Sequence, residues 1–335
     1  IFFNRKKIYL IKMDLQIKKL GLDDDLVNLI QIGSFHNKSY FGYSSNVLKS
    51  GICKYYRRKQ FDKFEWCVIE MMIFGLKNKG LLTNVINRIK ILLMEEITCN
   101  QIGDLYNCVM ILNNIDKDTK LSLKIQKMIK LCKIVSKLKR SRIVSYLNNW
   151  HRYKPKEIII NDVIPNKILK YKKQNDSDEL LKYGELFIKY MEEKDEKLFD
   201  IFGKLYEMDG KFGNRYRRKD AIYLLFEIME NKFQDNQKLL TIFDLAKNMF
   251  FRKQMKERPA FGIWLVLMIW KFDELNFKET NNINPINNTE LKDYMTSRSK
   301  ILINESYVVK DFHIDKKYGL ESFGKEGSLV IDEDL

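Results

Sequence analysis

The sequence predicts a mainly α protein, a multi-helix bundle with a short irregular C-terminal segment. Three observations carry this expectation. Only 4 of the 335 residues are proline and 15 are glycine, too few for a turn-rich β architecture. Apolar residues return at helical spacing along most of the chain. Only one stretch reads as a strand. With 45% apolar residues, the chain can bury one large core or two smaller ones.

The elements follow in order. Residues 1–12, IFFNRKKIYLIK, lack a starting methionine and a small-residue cleavage site, and read as upstream or fragment sequence ahead of Met13. Residues 49–98 contain an aromatic-rich helix around Trp66, a Gly75–Gly80 break and a second helix with apolar residues at 82, 85, 86, 89, 92 and 93. The short break predicts antiparallel packing of these two helices through Trp66, Val68, Ile89 and Leu92. In KLSLKIQKMIKLCKIVSKL, Ile125, Met128, Cys132 and Val135 form a stripe, with lysines across the remaining surface. EIIINDVI at 157–164 is the strand candidate, although Pro155 and Pro165 bracket it. Asp176-Ser177-Asp178 is placed to cap a helix through ELLKYGELFIKYMEE. Residues 219–232 and 237–251 read as two further helices, and FGIWLVLMIW as a buried one. Trp66, Trp150, Trp264 and Trp270 are expected in the core. The body thus spans 13–273, an Asn-rich polar linker 274–300, and a tail motif 301–335.

Charge narrows the partners. Sixty basic residues against 44 acidic ones give +16, which favours a polyanion such as nucleic acid or an acidic membrane face. No window has the eighteen or more uncharged apolar residues of a membrane span, so no membrane role is expected. Five cysteines without a C-x-x-C pair, and three histidines away from them, predict reduced thiols, no metal site and no cofactor. An intracellular protein follows, in cytoplasm or nucleus, or in a viral factory if the source is viral.

Residues 49–98 also carry a resemblance. In order they present Lys54, Arg57, Asp62, Trp66, Glu70-Met71, Arg88 and Glu95-Glu96. This resembles the helical region after the ATPase module in clamp-loader-like AAA+ proteins of the replication-associated recombination protein A type, also called MgsA. The family's Gly after the Arg is absent, Glu96 stands for Asp, and Thr98 stands for Gly. The resemblance implies a collar-like bundle, self-association and a role beside DNA replication or repair. No G-x-x-x-x-G-K-[ST] occurs, and GSFHNKSY at 33–40 lacks the second glycine, so no ATPase and no enzyme is expected; a separate ATPase partner is implied. Structural roles are expected for Trp66, Arg88, Glu95 and Glu96. Arg88 and Glu95, seven residues apart, share a face too distantly to pair. Arg88 should therefore bond another helix or a loop, and Glu95 or Glu96 a cation of the leading basic segment; exposed charges worth under about 1 kcal/mol are the other reading.

Three basic clusters are the candidate nucleic-acid contacts: Lys54/Arg57/Arg58/Lys59, Lys137/Lys139/Arg140/Arg142 and Arg215/Arg217/Arg218/Lys219. Each has an aromatic neighbour, the combination that binds phosphates and stacks unpaired bases. Solvated helix faces are the other reading. No base-reading motif accompanies them, so binding without sequence preference is expected, DNA ahead of RNA. In the tail, Asp311 and His313 lie in DFHIDKKYG, with a later Phe323 and Glu326-Gly327. This resembles a stretch of viral proteins that carry the same helical region, and suggests a stand-alone viral relative. The residues read as structural ties. The alternative function is a helical scaffold whose basic surface meets RNA or an acidic protein.

Overall fold

The computed structural model describes residues 38–75, 79–115, 117–118, 120–151, 157–174, 176–212, 221–252, 259–301 and 303. The described residues form twelve α-helices and no strand, so the protein is mainly α. The chain divides into two compact units. Of the described residues, one takes those up to Leu92, then Asn107–Leu138 and those from Asn281; the other takes Leu93–Tyr106 and Lys139–Thr280. The described part of the expected helical body, 13–273, contributes to both units.

The first unit starts with a helical hairpin of α1 (Ser45–Arg57) and α2 (Phe61–Gly75). Ser44 caps α1, its hydroxyl accepting the Val47 N–H at 3.4 Å. Tyr56 meets Phe64 with ring centroids 5.4 Å apart, while the earlier Gly51 faces the later Cys67, so the helices run antiparallel. At the turn, Gln60 N–H bonds the Tyr55 carbonyl and Lys59 N–H bonds that of Tyr56. That is a Schellman closure with Lys59, at φ 57°, in the left-handed position glycine usually takes. Leu48, Ile52, Tyr56, Phe64, Ile69 and Met71 are fully buried, each worth roughly 1.5–3 kcal/mol of apolar transfer.

The unit also holds most of α3 (Lys79–Glu95) and α4 (Ile102–Ile115), with α5 (Leu121–Val135) and α12 (Asn288–Ser297). α2 packs on α1 and α5, in place of the expected close pairing with α3. The apolar face of α2 is nearly all round, Phe64 to Gly75 being buried apart from Glu65, so it serves two neighbours at once. The expected linker is also built in. Asn287 and Glu290 form a reciprocal capping box at the start of α12, and the Gln126 amide donates to Asn288 Oδ1 at 2.8 Å.

The second unit contains α6 (Ile143–His151), a 3₁₀ turn (Lys167–Tyr171), α7 (Asp178–Glu193), α8 (Lys197–Phe212), α9 (Ile222–Lys232), α10 (Gln237–Arg252) and α11 (Pro259–Trp270). α11 is the centre, with every residue from Pro259 to Ile269 buried and α6, α8 and α10 against it. A helix apolar on all sides needs such a shell. Ser177 caps α7, accepting the Leu180 N–H at 3.1 Å. Residues 276–280 lie on the first turn of α4: Asn276 O accepts from Gly103 N–H at 3.0 Å, and Asp104 Oδ1 accepts from Thr280 N–H at 2.9 Å. A Cβ at position 103 would stand 2.2 Å from the Lys278 carbonyl oxygen, so this close approach requires glycine.

The strand expected at 157–164 does not form. The segment is irregular, with a turn at Asn161-Asp162, and Ile159 and Ile164 are 79% and 83% exposed. High β-propensity does not make a strand without a partner to take its ladder bonds, and proline removes a donor at both ends. The described residues contain one isolated β-bridge, between Ile97 and Arg140.

Candidate nucleic-acid interface

The three basic clusters meet different fates. In the first, Lys54 is buried at 5% exposure inside the hairpin, Arg57 and Arg58 are half-buried, and Lys59 is exposed. All four engage other groups, and cations in the last turn of α1 also complement its C-terminal dipole. Arg57, Arg58 and Lys59 remain reachable by a phosphate; Lys54 does not.

The second cluster is split by burial. Lys137 and Lys139 are exposed, whereas Arg140 and Arg142 are buried. Arg142 Nε stands 3.7 Å from Glu96 Oε2, with both side chains shielded from water. Backbone bonds align them: Thr98 N–H to the Lys139 carbonyl and Ser141 N–H to the Glu96 carbonyl, both at 3.1 Å. Arg140 and Arg142 are thus corrected from surface cations to structural ones, because desolvation is tolerated only beside a counter-charge. The third cluster, Arg215, Arg217, Arg218 and Lys219, lies outside the described residues, as do Asp311 and His313.

The expected structural residues are placed as follows. Trp66 is buried and donates its indole N–H to the Ser299 carbonyl at 3.0 Å. Arg88 reaches another helix, its Nη1 lying 3.9 Å from Cys53 Sγ on α1. Lys49, one turn before Cys53, has its pKa lowered by burial and then by the Arg88 charge. Glu96 meets Arg142, and Glu95 is half-buried. Trp264 is fully buried, and Trp270 is half-buried with its indole N–H on the Lys194 carbonyl at 3.0 Å.

The strongest basic surface among the described residues is one of which the clusters named only Lys137. Along α5 and its flanks run Lys120, Lys124, Lys127, Lys130, Lys133 and Lys137, none of them buried, and residues 121–135 contain no acidic side chain. At 100° per residue the lysines within α5 cover about half of its circumference. The other half is core: Ile125, Met128, Ile129, Cys132 and Val135 are buried. Two of the lysines have nearby counter-charges. Lys127 bonds Asp118 at 2.8 Å, and Lys133 lies within electrostatic reach of Glu65. Lys124, Lys130 and Lys137 have no described partner. Lys124 and Lys130 lie about 9 Å apart along the helix axis, and Lys137 follows just past its end.

Burial pushes the thiols of Cys67 and Cys132 up, away from reactive thiolate. Among the described residues no group of three His, Cys, Asp or Glu side chains could hold a metal ion, and no helix is long and apolar enough to cross a membrane. In comparison with known proteins, the chain matches no protein family, no curated protein and no solved structure.

Proposed function

We propose that the protein binds nucleic acid through its basic helical surfaces, without sequence preference and without catalytic chemistry of its own. The lysine face of α5 carries this reading: up to six cations on one surface and no carboxylate among residues 121–135. A polyanion with regularly spaced charges suits such a face, because each phosphate it neutralises releases condensed counterion. Arg57, Arg58, Lys59 and Lys139 add accessible positive charge. The likeness of residues 49–98 to the post-ATPase region extends the reading to an intracellular replication or repair accessory. On that basis it self-associates like a collar and works beside a separate ATPase, with DNA preferred to RNA.

The test is fluorescence anisotropy near physiological salt with single-stranded DNA, its RNA counterpart and duplex DNA, with sedimentation to read self-association. Binding of single strands without dependence on base order is expected. Absence of binding to all three overturns the reading. A scaffold for RNA or an acidic protein is the second reading, favoured by the exposure of Ile159 and Ile164 on an irregular, lysine-flanked segment. Its signature is RNA bound in preference to DNA, or an acidic protein bound with no nucleic acid.

A further inference from the structure

The second unit contains a cleft of about 310 Å³ between the 3₁₀ turn, the C-terminal half of α7 and the end of α9. Its floor is apolar, made by Ile188, Met191 and Ile228, which are 1–8% exposed. The rim is cationic: Lys167, Lys170 and Lys232 stand around it with Glu192 as the single carboxylate. Glu192 is already matched, its Oε2 2.5 Å from Lys167 Nζ. The charges of Lys170 and Lys232 therefore have no carboxylate of their own among the described residues.

The polar groups are fixed from both sides. Asn231 Oδ1 accepts from Tyr171 Oη at 3.0 Å and from Lys170 Nζ at 3.2 Å. This ties the 3₁₀ turn to α9, and leaves the two N–H donors of the Asn231 amide without a described acceptor. Lys170 also lies over the Tyr171 ring, 4.8 Å from its centroid, so that ring forms a wall and not a stacking platform. Glu185 anchors the start of the turn by accepting the Asn166 and Ile168 N–H groups, each at 2.9 Å.

We infer that this cleft binds a nucleoside phosphate, with the base on the Ile188/Met191/Ile228 floor and the phosphate at Lys170 and Lys232. Three features select that ligand class. The volume is at the small end of the roughly 300–1,000 Å³ of small-molecule sites, enough for one ring system with its phosphate and too short for an extended peptide. The floor takes a flat apolar face, and the Asn231 amide supplies donors for a base edge. The uncompensated lysines supply the anion contact. The nucleotide is either free or one unstacked residue of a single strand. The assignment deepens the nucleic-acid reading and rests on it for the second of these sources.

The experiment is calorimetric titration of the full chain with AMP, inorganic phosphate, a single-stranded hexanucleotide and hexaglutamate. AMP is expected to bind about tenfold or more tightly than phosphate, because the floor adds apolar contact. K170E/K232E, which changes two exposed side chains, is expected to weaken AMP binding by about tenfold or more with helical circular dichroism unchanged. Lys292→Glu, an exposed lysine of the other unit, should leave AMP binding at the parent value. Competition of the hexanucleotide with AMP identifies the strand as the source; AMP binding without competition identifies the free nucleotide. The inference is overturned if AMP binds no better than phosphate, if K170E/K232E binds AMP like the parent, or if hexaglutamate displaces AMP. AMP binding with no strand binding tells against the α5 face alone; strand binding with no AMP binding tells against the cleft alone.

Discussion

Arg298 and Glu70, 228 positions apart, form a buried ion pair, with Arg298 Nη2 3.2 Å from Glu70 Oε2 and the side chains 5% and 0% exposed. Glu70 sits in the apolar middle of α2 and also accepts the Phe41 N–H at 2.8 Å. The guanidinium lies 5.0 Å from the Trp66 ring and 5.5 Å from that of Phe41, and donates to the Trp66 carbonyl. Arg298→Ala should cost about 3–5 kcal/mol, since it strands a buried carboxylate. The double change R298L/E70L should be markedly less destabilising, because no charge is left behind. Urea denaturation compares them; a double variant worse than Arg298→Ala contradicts the ion-pair account.

The chain after Arg298 continues the same attachment. Tyr43 donates its hydroxyl to the Ile301 carbonyl at 2.5 Å and accepts the Ile303 N–H at 3.3 Å. A sequence reading of 274–300 as linker follows from its Asn-rich polarity, and a polar surface segment does not announce the buried carboxylate it will meet 228 positions away. The same limit explains Arg140 and Arg142, which read as a surface cluster until the fold buries both and brings Glu96 to Arg142. Helix positions were legible because a buried face repeats every 3.6 residues: Ser177, Gln237 and the apolar run in α11 all begin or fill helices where the pattern puts them. The strand at 157–164 misled because β-branching reports a preference that only a pairing partner realises. Along the 3₁₀ turn that borders the cleft and just after it, Lys167, Lys170, Lys172 and Lys173 with Tyr171 meet the same test of four cations and an aromatic as the three chosen clusters.

Glu65 gives a pH-dependent prediction. Burial raises its carboxyl above the ordinary 4.5, offset in part by its hydrogen bond with Tyr294 and the Lys133 charge. Folding therefore favours the protonated form, and Glu65's contribution is full below its unfolded pKa and lost as pH rises through the higher folded pKa. Glu65→Gln keeps a polar partner for Tyr294 without this loss. Relative to the parent it should gain stability as pH is raised from 4 to 7 in denaturation experiments. A difference independent of pH contradicts the assignment.

Lys59 holds a left-handed conformation at the α1–α2 turn. A non-glycine residue there costs about 1–2 kcal/mol, so Lys59→Gly should raise stability by about 1 kcal/mol, the rest being offset by glycine's unfolded-state entropy. Lys59→Ala should show no such gain. Equal urea midpoints for both variants would remove the strain argument.

Gly262 marks a close approach inside the core of the second unit. A Cβ there would stand 2.3 Å from the Phe202 ring, which is itself buried. Gly262→Ala should destabilise by about 1–3 kcal/mol through overpacking. Adding Phe202→Leu should recover part of that loss, measured as a rise in Tm over the single variant.

The most direct measurement of the central claim is the salt dependence of single-stranded DNA binding by the parent and by K124E/K130E/K137E, all three on solvent-accessible positions of the α5 face. Each single-strand phosphate neutralised contributes a slope of about −0.7 in log K against log salt, so the triple variant should bind more weakly and flatten the slope by about 2. The loss should be equal for all base sequences. A parent that binds no DNA near physiological salt, or a triple variant with the parent's affinity and slope, contradicts the claim.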